Sequence, residues 1–170
     1  MSEPEVWLRG ERVEGVSTAL QPVAHALLQS LGEVERAASP LSDAEVWVTP
    51  GGAASVGFHL RHIAGSTDRL LAYARGEQLS DAQMRALRAE KEFATELDAA
   101  ALLAQVRTAV EQAVEQMRAT PDASLDEPRE VGRGRLPSSV RGLLYHVGEH
   151  TARHAGQVVT TAKVVRGRAG

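Results

Sequence analysis

The sequence contains no cysteine among its 170 residues. Disulfides, thiolate metal sites and cysteine nucleophiles are therefore excluded, and any metal ion would have to be held by His, Asp or Glu. Aromatic residues are also scarce, at 4% of the chain, so the core must be built mainly from Ala, Leu and Val. Because Ala and Leu are strong helix formers, this composition favours helices.

The chain also lacks an excess of positive charge and any long apolar run. Its formal net charge is −3, whereas general binding to nucleic acid or anionic lipid needs a concentrated basic surface. Residues 1–5 are acidic and lead into no secretory signal or membrane span. We therefore expect a cytoplasmic protein with neither a nucleic-acid nor a membrane partner. A single domain over residues 1–170 is expected, since this length buries one core without disulfides.

Apolar residues recur at spacings of three and four in four long segments, which is the period of a helix with one buried face. These segments are 13–34, 55–76, 103–117 and 140–165. Pro22 marks either a kink in the first helix or its true start. Ser55 and Gly76 are suited to begin and end the second, and Ser138 or Ser139 caps the fourth. With no strand pattern, the sequence predicts an all-α four-helix bundle.

The stretches between these helices are of two kinds. A short helix over residues 84–90 is predicted after a cap at Ser80 and Asp81. Residues 40–52 and 120–137 are rich in Pro, Gly, Ser and Asp, and both are predicted to be loops. The second is long for a compact domain, so it is either a functional loop or a disordered excursion.

Three arginines lie in the second loop, just before the fourth helix. They are Arg129, Arg133 and Arg135. Their guanidinium groups could clamp a carboxylate or a phosphate of a substrate. The alternative is a solvated loop, because the glycine spacing here does not match a phosphate-binding motif.

Five of the six histidines fall in two short segments. They are His59 and His62 in the second helix, and His146, His150 and His154 in the fourth. At roughly 100° per residue, His154 lies about 20° from Val147 on the apolar stripe and His150 about 60° from it, so both face the core. An i, i+4 pair brings two imidazoles to one ion, and bundles often complete such a site from a facing helix. His62 is the natural third ligand, although spacing alone leaves His59 open.

Several inward-facing neutral imidazoles would lack proton donors unless a cation is present. The alternative is a buried polar network without metal, which requires a hydrogen-bond partner for each ring nitrogen. Thr151 follows His150 where the zinc-peptidase motif HExxH has glutamate, so a peptidase of that kind is not indicated.

Two segments, FHLRHIA at residues 58–64 and GEHTARHAGQ at residues 148–157, resemble the DinB/YfiT-like superfamily of metalloenzymes. The resemblance spans nearly the whole chain and implies a four-helix bundle of up-down-down-up topology that forms a homodimer. It implies that a divalent metal ion is bound by His62, His150 and His154. No ligand role is carried over to His59 or His146.

The resemblance implies one divalent ion, with Zn or Ni expected and Fe, Mn and Co as alternatives. The family includes thiol S-transferases and a member described as a metal-dependent hydrolase. Three imidazoles leave an open coordination position, at which a water or a low-molecular-weight thiol would be deprotonated. We therefore predict a metal-dependent thiol S-transferase or hydrolase with a small-molecule substrate. The alternative is a non-catalytic, metal-stabilised or metal-sensing bundle.

Proton transfer at such a site would need a nearby base. The candidates on the metal-bearing helices are Glu149, Asp68 and Tyr73. Gln157 is a candidate hydrogen-bond donor in the shell around the ligands. The sequence assigns no role to His25, His59 or His146.

Overall fold

The computed structural model describes residues 4–94 and 96–167, which form four long helices, two short helices and a hairpin. The helices are α1 Gln21–Ala38, α2 Asp43–Val46, α3 Val56–Ala74, α4 Asp81–Ala89, α5 Ala99–Arg118 and α6 Val140–Gly167. The hairpin strands are β1 Pro128–Val131 and β2 Leu136–Ser139. The helices α1, α3, α5 and α6 form the bundle. No helix of this described part is long and apolar enough to cross a membrane.

The bundle places α6 between α1 and α3, with α5 also packed against both. Side-chain contacts show that α3 and α6 run antiparallel. His59 at the start of α3 meets His154, whereas Ser66, farther along α3, meets the earlier residue His150. The two helices therefore pass each other at the histidine-bearing segments.

Two further side-chain contacts show in which directions α1 and α5 run. Gln116 in the last turn of α5 donates to the carbonyl oxygen of Leu71 in the last turn of α3, so these two helices are parallel. Arg118, the last residue of α5, donates to the carbonyl oxygen of Glu14, which precedes α1. Helix α1 is therefore antiparallel to α5 and parallel to α6, which gives the up-down-down-up topology.

Local signals in the sequence set most helix ends where they were predicted. The hydroxyls of Ser55, Ser80 and Ser139 each accept a hydrogen bond from a first-turn N–H, as N-caps do. Helix α1 begins at Gln21, with Pro22 in its first turn, so the proline marks a start and not a kink. Gly76 closes α3 with a φ of 81°, in the left-handed region that suits glycine.

Both predicted loops contain regular structure that the sequence did not indicate. Residues 40–52 include α2, whose capping box pairs Ser42 with Glu45. Residues 120–137 contain most of an antiparallel hairpin, in which β1 pairs with β2, so the expectation of no strand is corrected there. Each strand has four residues, too few to show an alternating pattern. Arg129 ties β1 to the end of α3 by donating to the carbonyl oxygen of Ala74.

The end of α2 is packed against the start of α3, next to the histidine-bearing turns. Trp47 is buried, and its Nε1–H donates to the carbonyl oxygen of Leu97 at 3.3 Å. A Cβ added at Gly57 would lie 2.6 Å from a ring carbon of Trp47. Glycine at this position therefore permits the close approach of the indole ring to α3.

We predict that Gly57→Ala destabilises the protein by about 1–3 kcal/mol, the usual cost of overpacking a filled core. The matched control is Gly156→Ala in α6, where an added Cβ meets nothing within 4 Å. That change should be neutral or stabilising by up to about 1 kcal/mol, since alanine favours helix. Urea unfolding of both variants is the measurement. Equal free energies of unfolding would contradict the prediction.

Candidate metal centre

The antiparallel pair α3 and α6 brings three histidines to one point. Ring nitrogens of His62, His150 and His154 lie within 4.8 Å of one another. Among the described residues, this is the one group of three or more His, Asp and Glu side chains compact enough to hold an ion. The structure therefore brings together the three residues that the sequence analysis selected as ligands.

The three rings meet at interplanar angles of 50° to 64°, so no two of them stack face to face. The ring centroid of His154 lies 4.6 Å from that of His62 and 4.6 Å from that of His150. The Nε2 atoms of His62 and His150 are 3.4 Å apart. Phe58 stacks on His62 with an interplanar angle of 6° and covers one face of that ring.

The outward-facing nitrogens of two of these rings have defined partners. His62 Nδ1 lies 2.8 Å from a carboxylate oxygen of Glu90, and because a carboxylate can only accept, this nitrogen carries the proton. His150 Nδ1 lies 3.3 Å from the hydroxyl of Ser66. That hydroxyl donates to the carbonyl oxygen of Ile63, so it accepts from His150. On both rings Nε2 is then left with a free lone pair that faces the cluster.

Burial keeps His59, His150 and His154 uncharged. The pKa of His150 and the pKa of His154 are each lowered to about 4, first by burial and then by the nearby His62. The same two causes lower the pKa of His59 to about 4. At neutral pH these imidazoles are therefore neutral and retain the lone pairs that metal coordination needs.

Glu90 is a site residue that the sequence analysis missed. It directly follows α4 and is only 5% exposed. Burial raises the pKa of its carboxyl group, but hydrogen bonds from His62 and Arg69 outweigh this effect, and the net pKa is lowered. The carboxylate is therefore charged beside His62. No spacing links Glu90 to the histidines, so only the folded chain shows the contact.

His59 is a second contact that spacing did not reveal. Its side chain is buried, and its Nδ1 lies 3.0 Å from the Nδ1 of His154. One of these two nitrogens must donate and the other accept. His59 is not part of the compact trio, but it adjoins one of its members.

The other two histidines differ in their distance from the trio. His146 is half-buried and lies beside the cluster, with its ring centroid 5.2 Å from that of His150. Its Nδ1 pairs with a carboxylate oxygen of Glu149 at 2.6 Å. His25 lies on α1 in a groove with Trp7 and Pro22, where no residue of the trio lines the wall.

The candidate bases and the candidate donor are not brought into hydrogen-bond contact with the trio. Glu149 pairs with Arg153 as well as with His146. Asp68 is exposed and accepts from Gln83. Tyr73 is buried in the core near the end of α3, about 16 Å along the helix from His62 at 1.5 Å per residue. Their proposed proton-transfer role stays a prediction.

Gln157 lines a groove that reaches His59. The groove has a volume of about 520 Å³ and runs between the α2–α3 connection and α6. His59, Arg153 and Gln157 are among its lining residues. Gln157 is exposed and contributes a polar amide to this wall.

The three loop arginines lie at the other end of α3. Arg129 is held by the carbonyl oxygen of Ala74 and by Glu127, and Arg135 pairs with Glu130 in the exposed hairpin. The distance from His62 to Ala74 is about 18 Å of helix rise. The structure therefore does not bring these arginines, including the exposed Arg133, to the histidine cluster.

The fold and the site together define a class of protein, namely up-down-down-up helical bundles with a histidine trio between two antiparallel helices. Residues 26–158 match the sequence model of the DinB superfamily. The chain belongs to the DinB superfamily.

A solved structure supports the same fold. The chain is similar to YfiT from Bacillus subtilis, which is described as a probable metal-dependent hydrolase with an unusual four-helix bundle topology. The TM-score is 0.67 at 13% sequence identity, and the alignment covers 90% of this chain and 91% of that one. At this identity the likeness concerns the fold alone. No curated protein matches the chain in sequence.

We predict that the metal-free protein loses stability as the pH falls from about 6.5 to about 4. The pKa values of His59, His150 and His154 are each lowered from 6.5 to about 4 in the folded chain. Within that window the unfolded chain binds protons that the folded chain does not, so the free energy of unfolding decreases with falling pH. The full contribution is present above about pH 6.5.

The measurement is the urea midpoint at several pH values between about pH 7 and about pH 4.5. His150→Gln removes one titrating ring and should flatten this dependence, because an amide does not ionise. His25→Gln is the matched control and should keep the wild-type dependence. If the two variants gave the same pH dependence, the burial of a neutral His150 would not be the cause.

Proposed function

We propose that the chain binds one divalent metal ion through His62, His150 and His154 and acts as a metal-dependent, hydrolase-like enzyme on a small molecule. The observation that carries this proposal is the convergence of three ring nitrogens within 4.8 Å of one another. Two of the three rings have their other nitrogen held by a protein partner. Such partners orient metal-binding histidines in many proteins.

The donor set fits a cation better than it fits a metal-free network. The lone pairs on the Nε2 atoms of His62 and His150 face each other at 3.4 Å, because the Nδ1 protons of both rings are directed to Glu90 and Ser66. Two acceptors at this distance repel each other unless a positive centre lies between or beside them. A divalent ion supplies that centre, and neutral imidazoles are the form in which histidine binds metal.

Three protein ligands leave room for a further ligand, as in catalytic and not structural sites. When bound, the ion would act as a Lewis acid that lowers the pKa of a coordinated water or thiol. The compact group found among the described residues has three members and does not include His59, so the proposed shell has three protein ligands. This favours the enzyme over a metal-stabilised, non-catalytic bundle.

A groove next to the histidine cluster offers a place for a substrate. The groove has His59, Arg153 and Gln157 in its wall, and His59 contacts His154 of the trio. Arg153 offers a cation and Gln157 an amide to the polar part of a substrate. We infer that a small molecule with a polar or anionic group enters along this groove.

Hydrolysis is favoured because YfiT, which shares the fold, is described as a probable metal-dependent hydrolase. The family resemblance also implies transfer to a low-molecular-weight thiol, which would use the same open position. Two assays on the metal-loaded protein separate these reactions. One measures release of product from esters and amides in the absence of thiol, and the other measures loss of a free thiol against an electrophilic substrate.

We predict that protein purified without an affinity tag and loaded with Zn or Ni retains about one ion per chain. His150→Ala should lose the ion, because two imidazoles remain in the trio. The matched control is His25→Ala, since His25 lies on α1 and no residue of the trio lines its groove. His59 and His146 are unsuitable controls because both contact members of the trio.

The measurements are elemental analysis after gel filtration and calorimetric titration of the metal-free protein. Retention of the ion by His150→Ala to the same extent as by His25→Ala would rule out the proposed site. A wild-type protein that takes up neither metal would remove the chemical basis of the proposed enzyme.

A further inference from the structure

We propose that Glu90 and Arg69 form a positioning pair that holds His62 as a metal ligand. In this role Glu90 fixes the proton of His62 on Nδ1 and directs Nε2 into the trio, while Arg69 fixes Glu90. The effect on metal affinity rests on the proposed function, whereas the placement of the proton does not require a metal.

The contacts form a continuous chain from Arg69 to the trio. One carboxylate oxygen of Glu90, Oε1, accepts from Nη1 of Arg69, and the other, Oε2, lies 2.8 Å from Nδ1 of His62. Each oxygen therefore has its own donor. Because Glu90 cannot rotate without losing one of the two, its orientation and that of the imidazole are coupled.

Burying the charged side chains of Glu90 and Arg69 costs free energy, and a contribution to folding stability does not explain why they are there. Glu90 is 5% exposed and Arg69 is 7% exposed. Removing two charges from water is expensive, and well-packed apolar side chains in their place are often at least as stable. The second carboxylate oxygen of Glu90 contacts His62 of the trio. The buried pair is therefore better explained by the positioning of His62 than by a gain in stability.

Glycine at position 65 makes room for the pair. A Cβ added at Gly65 would lie 2.2 Å from Oε1 of Glu90 and 2.8 Å from Nη1 of Arg69. Any other side chain at this position of α3 would displace the carboxylate or the guanidinium group. The backbone of α3 is thus adapted to this ion pair.

The placement of α4 agrees with a positioning role for Glu90. None of its residues, Asp81–Ala89, is buried, whereas Glu90, the next residue, is. Two residues farther on, the carbonyl oxygen of Glu92 accepts from Nη1 of Arg61 at 2.7 Å. Before Glu90, Gln83 in α4 donates to Asp68 of α3, so the chain is held against α3 on both sides of Glu90.

A carboxylate that accepts the Nδ1 proton of a histidine makes the opposite nitrogen a stronger ligand. Loss of such a partner usually lowers metal affinity by about 10- to 100-fold. We expect Glu90→Gln, which keeps the shape but loses the charge, to weaken Zn binding within this range. The matched control is Glu92→Gln, because the Glu92 side chain is exposed and should leave the affinity unchanged.

The experiment measures two quantities on wild type, Glu90→Gln, Glu90→Ala and Glu92→Gln. Calorimetric titration with Zn gives the affinity, and ¹⁵N NMR of the metal-free protein gives the protonated nitrogen of His62. We expect the proton on Nδ1 in wild type and in Glu92→Gln. In Glu90→Ala we expect it to be redistributed to Nε2.

The outcomes separate this proposal from the proposed function. Equal Zn affinity in Glu90→Gln and Glu92→Gln, or a wild-type proton on Nε2, would overturn the positioning role. If wild type bound no Zn but carried the proton on Nδ1 in a Glu90-dependent way, the enzyme proposal would fail and the positioning of His62 would stand. The wild-type NMR measurement is decisive even if the Glu90 variants fail to fold.

Discussion

The antiparallel packing of α3 against α6 is the constraint on which the rest of the site depends. Leu60 and Ile63 on α3 and Leu144 and Val147 on α6 are fully buried, so neither helix can slide or rotate without exposing apolar surface. This register places His62 opposite His150. The position of the histidines is therefore set by the hydrophobic core, and their polar partners then refine it.

The topology explains how a carboxylate from outside the bundle reaches this point. Helices α3 and α5 are parallel neighbours, so the chain must return along the length of α3 before α5 can begin. The contacts follow that return in order: Gln83 meets Asp68, Glu90 meets Arg69 and His62, and Leu97 meets Trp47. The connection thus passes directly over the histidine-bearing turns. An up-down-up-down bundle with short loops would have no segment in this place.

Sequence reasoning succeeded where the signal is local or periodic. The caps at Ser55 and Ser80 depend on neighbouring backbone, and the inward faces of His150 and His154 depend on the helical period. It missed the hairpin, whose strands are too short for a pattern, and it missed Glu90, which lies 28 residues from His62 along the chain. Contacts of that separation arise from topology. The DinB resemblance supplied the choice between His59 and His62, which spacing alone had left open.

Metal binding at this site, as proposed, would be coupled to folding. Burying several neutral imidazoles near one another, with the Nε2 atoms of His62 and His150 only 3.4 Å apart, is costly when no cation is present. If the trio binds a metal ion as proposed, an ion that binds only the folded chain would offset this cost. An ion present at 100 times its dissociation constant would add about 2.7 kcal/mol to the free energy of unfolding. Glu90 contacts both Arg69 and His62 without an ion, so in the proposed role this pair would hold His62 in place before a metal ion binds.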